Sequence, residues 1–144
     1  MATHAYIKLV SKSKKKTITL SEVKELFQYY QDITKKTGEQ LGWSYAEAAF
    51  PYTIAETDEG KEQWFYLKGK SDRYRTIIVG VGQEQIPNED TGETEEQTFI
   101  QLTLPQGSTH GDKGKANEFC KFLAKKLEGE LHLFNGRVMY YYKR

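Results

Sequence analysis

Residues 98–127 read TFIQLTLPQGSTHGDKGKANEFCKFLAKKL and contain the two periodicities that decide the fold class. From Thr98 to Leu104 every second residue is aliphatic, which is the period of a strand with one buried face, and Pro105 ends the pattern. From about Asp112 the apolar residues recur at helical spacing, followed by Gly129: Ala116, Phe119, Cys120, Leu123 and Leu127. This stretch predicts a strand joined to an amphipathic helix.

A second helix is predicted near the N-terminus. Thr19 and Glu22 have the spacing of a capping box, and Ile18 and Val23 occupy the positions of a hydrophobic staple. An apolar stripe follows, and Gly38 offers an end: Val23, Leu26, Phe27, Tyr30 and Ile33.

Strand-like composition marks four more segments, at residues 5–10, 46–55, 63–68 and 74–81. Pro51 interrupts the second segment and has no N–H to donate, so we expect that strand at an edge or a bulge.

Residues 83–97 contain six acidic residues and no basic residue. Turn-forming pairs at 87–88 and 91–92 favour an exposed acidic loop. The alternative is a docking site for a basic partner or a cation, although the spacing does not match a calcium loop.

The C-terminus contains a hairpin signal, Asn135-Gly136 between two apolar runs. A two-residue type I′ turn would give both residues a positive φ and pair Leu133 with Val138. In that register one face has Leu131, Leu133, Val138 and Tyr140, and the other has His132, Phe134, Arg137, Met139 and Tyr141.

The order of these elements predicts one α+β domain over residues 1–144, an antiparallel sheet with two helices packed on one face. A pseudo-duplicated saddle built from two β-α-β-β units is an alternative compatible with the same order.

The chain has 21 basic and 20 acidic residues, for a formal net charge of +1. The first 36 residues have eight basic against three acidic residues and the last 36 have eight against four, while the middle is acidic. A near-neutral chain disfavours a dedicated nucleic-acid binder. No apolar run is long enough to span a membrane, and one cysteine with no signal-like N-terminus favours a cytoplasmic location.

Residue types that carry catalysis are present without their usual partners. Cys120 falls on the apolar stripe of the second helix, which favours a buried small side chain over a nucleophile. His4, His110 and His132 are far apart in sequence, and no hydrolase or zinc-protease motif occurs. We therefore expect no cofactor and no metal, and the missing catalytic motifs favour a protein that is not an enzyme.

The Gly-rich segment 107–115 is a candidate anion site. Ser108, Thr109, Lys113 and Lys115 could meet a small anion or a nucleotide phosphate at the start of the second helix. Asp112 stands where a phosphate loop would have glycine, so a loop ending in an Asp N-cap is the simpler interpretation.

One face of the predicted hairpin is a candidate partner surface: His132, Phe134, Arg137, Met139 and Tyr141. Aromatic, Met and Arg side chains are enriched at protein interfaces. The alternatives are that this face packs under the helices or stacks on single-stranded nucleic acid.

A third candidate surface joins the basic ends of the chain, with weak nucleic-acid binding as its function. It would use Lys12, Lys14, Lys15 and Lys16 together with Arg137, Lys143 and Arg144. The acidic middle of the chain would oppose phosphate binding.

Two runs near the C-terminus, NEFCKFLAKKL at 117–127 and ELHLFNGRVMY at 130–140, resemble a small family of uncharacterised single-domain proteins from spore-forming Gram-positive bacteria. The resemblance implies a cytoplasmic protein of unknown function and assigns no site residues. Together with the missing catalytic motifs, it leaves a non-enzymatic protein-interaction module as the leading hypothesis, with a homo-oligomer or another protein as partner.

Overall fold

The computed structural model describes residues 3–10, 12–41, 50–55, 63–88 and 90–142. Its elements in chain order are β1 (Thr3–Lys8), α1 (Leu20–Leu41), β2 (Tyr52–Ala55), β3 (Trp64–Gly69), β4 (Thr76–Pro87), β5 (Thr94–Leu104), α2 (His110–Leu127), β6 (Glu130–His132) and β7 (Val138–Tyr140). Residues 46–49 of the second predicted strand, together with Lys143 and Arg144, lie outside the described residues.

The seven strands form one antiparallel sheet in the order β2-β3-β4-β5-β1-β6-β7. Both helices pack on the same face, because the Phe27 ring of α1 lies 5.5 Å from Phe119 of α2 and 6.1 Å from Phe65 of β3. The predicted α+β class is confirmed, and β2 is an edge strand, as Pro51 indicated.

The first half of the chain, from β1 to β4, and the second half, from β5 to β7, place their strands in different orders. After α1 the chain goes to the far edge and returns through β3 and β4, so the last strand of this half lies beside β5. After α2 the chain goes first to the strand beside β1. The strand order is therefore reversed between the halves, and the duplicated β-α-β-β alternative is wrong.

Alternation along the strands divides the sheet into two faces. On the helix-covered face the side chains form the core and are essentially inaccessible: Ala5, Ile7, Phe65, Leu67, Ile77, Val79, Ile100, Leu102 and Leu131. The opposite face, called the outer face below, is formed by His4, Tyr6, Trp64, Tyr66, Ile78, Gly80, Gly82, Phe99, Gln101 and Thr103.

Both helices begin with capping boxes. Thr19 Oγ1 accepts from Glu22 N at 3.2 Å, and Glu22 Oε1 accepts from Thr19 N at 3.1 Å, as predicted. A hydrogen bond from Lys15, followed by one from the Thr19 N–H, lowers the pKa of Glu22. The helix continues past Gly38, so the predicted end there is wrong.

The second capping box starts three residues earlier than expected. Thr109 is the N-cap of α2, and Asp112 occupies the third position of the helix and returns a hydrogen bond to Thr109 N. The prediction of Asp112 as N-cap is therefore wrong.

The predicted acidic loop is also wrong, because most of residues 83–97 are paired strand. The ladder between β4 and β5 continues to Pro87↔Thr94, and a tight turn closes it with Asn88 N bonded to Glu93 O at 2.7 Å. The acidic side chains of this ribbon are mostly exposed, so they show no apolar alternation from which a strand could be predicted.

The C-terminal hairpin forms in a register one residue away from the predicted one. His132 pairs with Val138 and Leu131 with Met139, so Leu133 and Val138 lie on opposite faces. Gly136 has φ +86°, as expected, but Asn135 does not have a positive φ. The loop has three residues, with Leu133 N bonded to Arg137 O and Gly136 N bonded to Leu133 O, which is a type I turn followed by a left-handed Gly.

In the described part of the chain, neither helix is long and apolar enough to cross a membrane.

Candidate functional site

A groove of about 1160 Å³ lies on the outer face and continues past the start of β3 to the first turn of α1. On the outer face it is lined by Trp64, Ile78, Gly80, Gly82, Phe99, Gln101 and Thr103. Near α1 it is lined by Ile18, Thr19, Leu20, Ser21 and Lys24, with Gln63, Val81 and Gln83 between the two ends. This groove is the candidate binding site.

Two glycines of β4 form the floor of the groove. Gly80 lies between Trp64 on β3 and Gln101 on β5, and Gly82 lies opposite Phe99. A Cβ at Gly80 would stand 3.1 Å from the Gln63 carbonyl oxygen, and one at Gly82 would stand 2.8 Å from the Phe99 ring. Glycine therefore lets the Phe99 ring lie over the strand and keeps the centre of the face free of a side chain at Gly80.

Polar groups converge on one side of this floor. Gln101 Nε2 donates to Thr103 Oγ1 at 3.2 Å and lies 2.9 Å from His4 Nδ1, and Thr103 Oγ1 lies 2.8 Å from the same nitrogen. These bonds use the amide nitrogen of Gln101. Among the described residues no hydrogen bond is made to its Oε1, so this lining residue keeps an acceptor for a ligand.

Charge is sparse in the groove. Lys24 is the one charged side chain among its described lining residues, and its Nζ lies 5.5 Å from the Phe65 ring centroid, at the α1 end. Just beyond Gly82, Glu84 pairs with Lys8 at 3.3 Å. The outer-face part of the groove is thus aromatic and neutral, and acidic residues begin at its β4–β5 end.

The hydroxyl and lysine side chains of the predicted anion site at 107–115 have separate surroundings. Thr109 Oγ1 donates to Arg73 O and accepts from Asp112 N, while Ser108 Oγ donates to Pro105 O at 2.6 Å. Lys115 pairs with Glu118 at 2.9 Å, and Lys113 is exposed. The two hydroxyls are therefore engaged in local structure and do not converge with the lysines on one point.

The buried carboxylate of Asp112 occupies the start of α2. It accepts from Tyr52 Oη at 2.5 Å and from Arg75 N at 3.0 Å, in addition to Thr109 N. Burial, and then the Asp112 carboxylate, raise the pKa of Tyr52 well above its ordinary value. This network ties α2 to β2 and to the turn before β4, and its negative charge opposes an anion at the same amides.

The predicted partner surface on the C-terminal hairpin is divided between two faces. His132 lies on the outer face, 2.8 Å from Glu130, and Arg137 is exposed beside the turn. Met139 lies on the helix side, paired with the buried Leu131, and Phe134 and Tyr141 are also partly buried against the core. The register shift therefore separates the five residues and leaves no single surface.

The basic ends are only partly brought together. Lys14 N donates to Leu127 O at 2.9 Å, which sets the segment containing Lys12, Lys14, Lys15 and Lys16 against the end of α2. Arg137 lies at the other end of β6, beside the hairpin turn. The structure thus separates Arg137 from the N-terminal lysines.

Cys120 is fully buried in α2, and burial raises the pKa of its thiol to about 12, which confirms its prediction as a small core side chain. Across the described ranges, no three His, Cys, Asp or Glu side chains are close enough together to hold a metal ion.

The groove residues were missed in the sequence because Trp64, Phe99 and Gln101 fit ordinary strand patterns. A usable signal was present in Gly80-Val81-Gly82, since glycine inside an apolar strand marks a bulge or a close approach.

Comparisons with known proteins agree with the family resemblance in the C-terminal part. A solved structure described as a protein of unknown function from Bacillus stearothermophilus is 48% identical, covers 88% of this chain and 91% of its own, and superposes with a TM-score of 0.56. No curated protein matches the chain. The sequence model of a protein family described as a domain of unknown function, DUF1885, matches residues 3–143, nearly the whole chain. The protein therefore belongs to the DUF1885 family, whose function is unknown.

Proposed function

We propose that the protein is a non-enzymatic protein-interaction module that binds its partner with the outer-face groove. The observation that carries this proposal is the glycine floor of Gly80 and Gly82 between the partly buried rings of Trp64 and Phe99. Concave surfaces lined by aromatic side chains with a few polar groups are typical of binding sites. The groove therefore replaces the hairpin as the candidate partner surface.

The chemistry of the groove supports binding over catalysis. Its described lining residues include one charged side chain, Lys24, and the outer-face polar groups bond to one another through His4, Gln101 and Thr103. Acid–base catalysis uses paired titratable groups with separated pKa values, and the described lining lacks such a pair.

Electrostatics support a protein partner over a nucleic acid. Glu95 of the β4–β5 ribbon lies beyond Phe99 on the outer face, where it would repel a phosphate chain following the groove, while Glu84 is already paired with Lys8.

Self-association is one form this interaction can take. Among the described residues the outermost strands are short, with four residues in β2 and three in β7, and short edges discourage strand-to-strand pairing. In a homodimer we expect the outer-face groove, rather than these two strands, to form the contact. Sedimentation velocity at about 100 µM tests this form: a dimer lost in Gln101→Arg supports it, and a monomer leaves another protein as the partner.

The experiment for the module as a whole uses a matched pair of variants. Gln101→Arg places a long cation in the groove, whereas Gln28→Arg makes the same change on the exposed side of α1. We expect the wild-type protein and Gln28→Arg to capture the same protein from extract of a bacterium that encodes this chain, and to bind it with equal Kd once purified. Gln101→Arg should bind at least tenfold more weakly. Equal binding by all three proteins, or loss in Gln28→Arg alone, would contradict the proposal.

A further inference from the structure

We infer that the groove anchors one aromatic side chain, tryptophan or tyrosine, from a basic segment of the partner. This inference rests on the proposed function and specifies the part of the partner that is recognised. The anchoring position is the depression at Gly80, bounded by Trp64, Gln101 and the Phe99 ring.

The shape of the depression supports a flat ring. Trp64 and Gln101 are the direct cross-strand neighbours of Gly80, so they form its two side walls. Ile78 and Gly82 precede and follow it on the same face of β4, and the Phe99 ring lies over Gly82. A ring placed over Gly80 would contact the aromatic surfaces of both Trp64 and Phe99, and such ring pairs gain more than their buried area alone.

The hydrogen-bonding groups indicate a ring with a donor. The Gln101 amide nitrogen is committed to His4 and Thr103, which leaves Oε1 as the acceptor available to a ligand. The N–H of an indole or the O–H of a phenol meets this requirement, whereas phenylalanine and leucine do not. The lining at this end contains no charged group, so the anchoring side chain itself is expected to be neutral.

Charge complementarity identifies what flanks the ring. Along β4, Glu84 follows Gly82 by two residues on the same face, and along β5, Glu95 precedes Phe99 by four. The described residues from 83 to 97 include five acidic and no basic side chains, of which Glu84 is paired with Lys8. Glu96 lies on the opposite face, across from Gln85. A segment leaving the groove along the outer face of this ribbon would therefore place lysine or arginine opposite Glu95 and the turn carboxylates of Asp90 and Glu93.

The test uses defined probes and the amide signals of the groove. N-acetyl-tryptophanamide, added to about 10 mM, should shift the NMR amide signals of Gly80 and Gly82 and the side-chain amide of Gln101. A hexapeptide with one tryptophan and two lysines should shift the same signals at lower concentration. Its affinity should fall about tenfold when leucine replaces tryptophan, and about threefold when glutamates replace the lysines.

A second matched pair of variants tests the hydrogen bond. Gln101→Leu should bind the tryptophan peptide about fivefold more weakly. Gln85 is an exposed glutamine on the other face of the β4–β5 ribbon, and Gln85→Leu should bind the peptide as tightly as the wild-type protein does.

Three results would overturn the inference: no shift at Gly80 or Gly82 with N-acetyl-tryptophanamide, equal binding of the leucine peptide, or tighter binding of adenosine than of the tryptophan peptide. If these probes fail while Gln101→Arg still abolishes binding of the captured protein, the aromatic anchor is wrong and the interaction module stands.

Discussion

The two faces of the sheet use alternate residues of the same strands for different purposes. On β4, Ile77 and Val79 point to the helices and are inaccessible to solvent, whereas Gly80 and Gly82 face the other way. On β3, Phe65 packs against Phe27, and its neighbour Trp64 lines the groove.

The polar groups differ in the same way. On the helix side, the Asp112 carboxylate is inaccessible and its hydrogen bonds go to Tyr52, Arg75 and Thr109. On the outer face, the Gln101 amide is partly exposed and offers an acceptor to the groove. Stability is therefore concentrated on one face, and the other face combines aromatic and polar groups in a concave surface.

The largest effect is expected from removing a ring on the helix-covered face. Phe119 is fully buried, and its ring centroid lies within 6.0 Å of four others: Phe27, Tyr30, Phe50 and Tyr52. Phe119→Ala should lower the free energy of unfolding by about 3–5 kcal/mol, measured by urea denaturation. The matched outer-face variant Phe99→Ala should lose less, because that ring is only partly buried. Equal losses would contradict the conclusion that stability is concentrated on the helix-covered face.

The next effect comes from the buried carboxylate. Asp112→Ala should lower the free energy of unfolding by about 2–3 kcal/mol, because it leaves the Tyr52 hydroxyl and two backbone N–H groups without their acceptor. In a double-mutant cycle with Tyr52→Phe, the double variant should lose less than the sum of the single losses. Strict additivity would show that the Tyr52–Asp112 hydrogen bond contributes nothing.

The buried Tyr52 hydroxyl should also make the free energy of unfolding depend on alkaline pH. Its pKa is raised in the folded state, chiefly by burial, from an ordinary value of 10.0. The contribution of the Tyr52 hydroxyl to the free energy of unfolding is fully present below pH 10. It is lost as the pH rises above 10, because only the unfolded state then releases the hydroxyl proton. Between pH 10.5 and 11.5 the free energy of unfolding should fall by about 1.2 kcal/mol less in Tyr52→Phe than in the wild-type protein. Parallel profiles for the two proteins would contradict the buried, neutral hydroxyl.

The smallest change in the free energy of unfolding is expected at the turn of the C-terminal hairpin. Gly136 has a left-handed φ of +86°, and Val there should lower the free energy of unfolding by about 1 kcal/mol. Asn135→Ala should have less effect, because Asn135 does not have a positive φ. A larger loss at Asn135 than at Gly136 would favour the two-residue turn.

Much of the fold could be predicted from local patterns. The Thr19–Glu22 capping box, the stripe of α2 and the alternation of β5 depend on contacts between neighbours or on one buried face, so the sequence displays them.

The errors arose where nearby residues permit more than one structure. Asn-Gly suits a two-residue turn, but it also suits the end of a three-residue loop. The observed register places Met139 against the core and Val138 on the outer face. The β4–β5 ribbon lacks apolar alternation because its acidic side chains are mostly exposed, so its composition resembles that of a loop.

The candidate site could not be predicted because it depends on strand order. Trp64, Gly80 and Gln101 belong to three strands and become neighbours only when β3, β4 and β5 pair in this register. Sequence patterns placed each residue on a strand without showing which residues would lie across from it.

Site-specific photo-cross-linking in living cells tests most directly whether the partner binds to the outer face. A benzophenone amino acid replaces Tyr66, a partly exposed aromatic beside the groove, or, as the control, Gln28 on the exposed side of α1. The outer face as binding surface predicts a discrete protein adduct from position 66, suppressed by excess unmodified protein, and no such adduct from position 28. An adduct from position 28 with none from position 66 would contradict it, and would place the interaction on the helices.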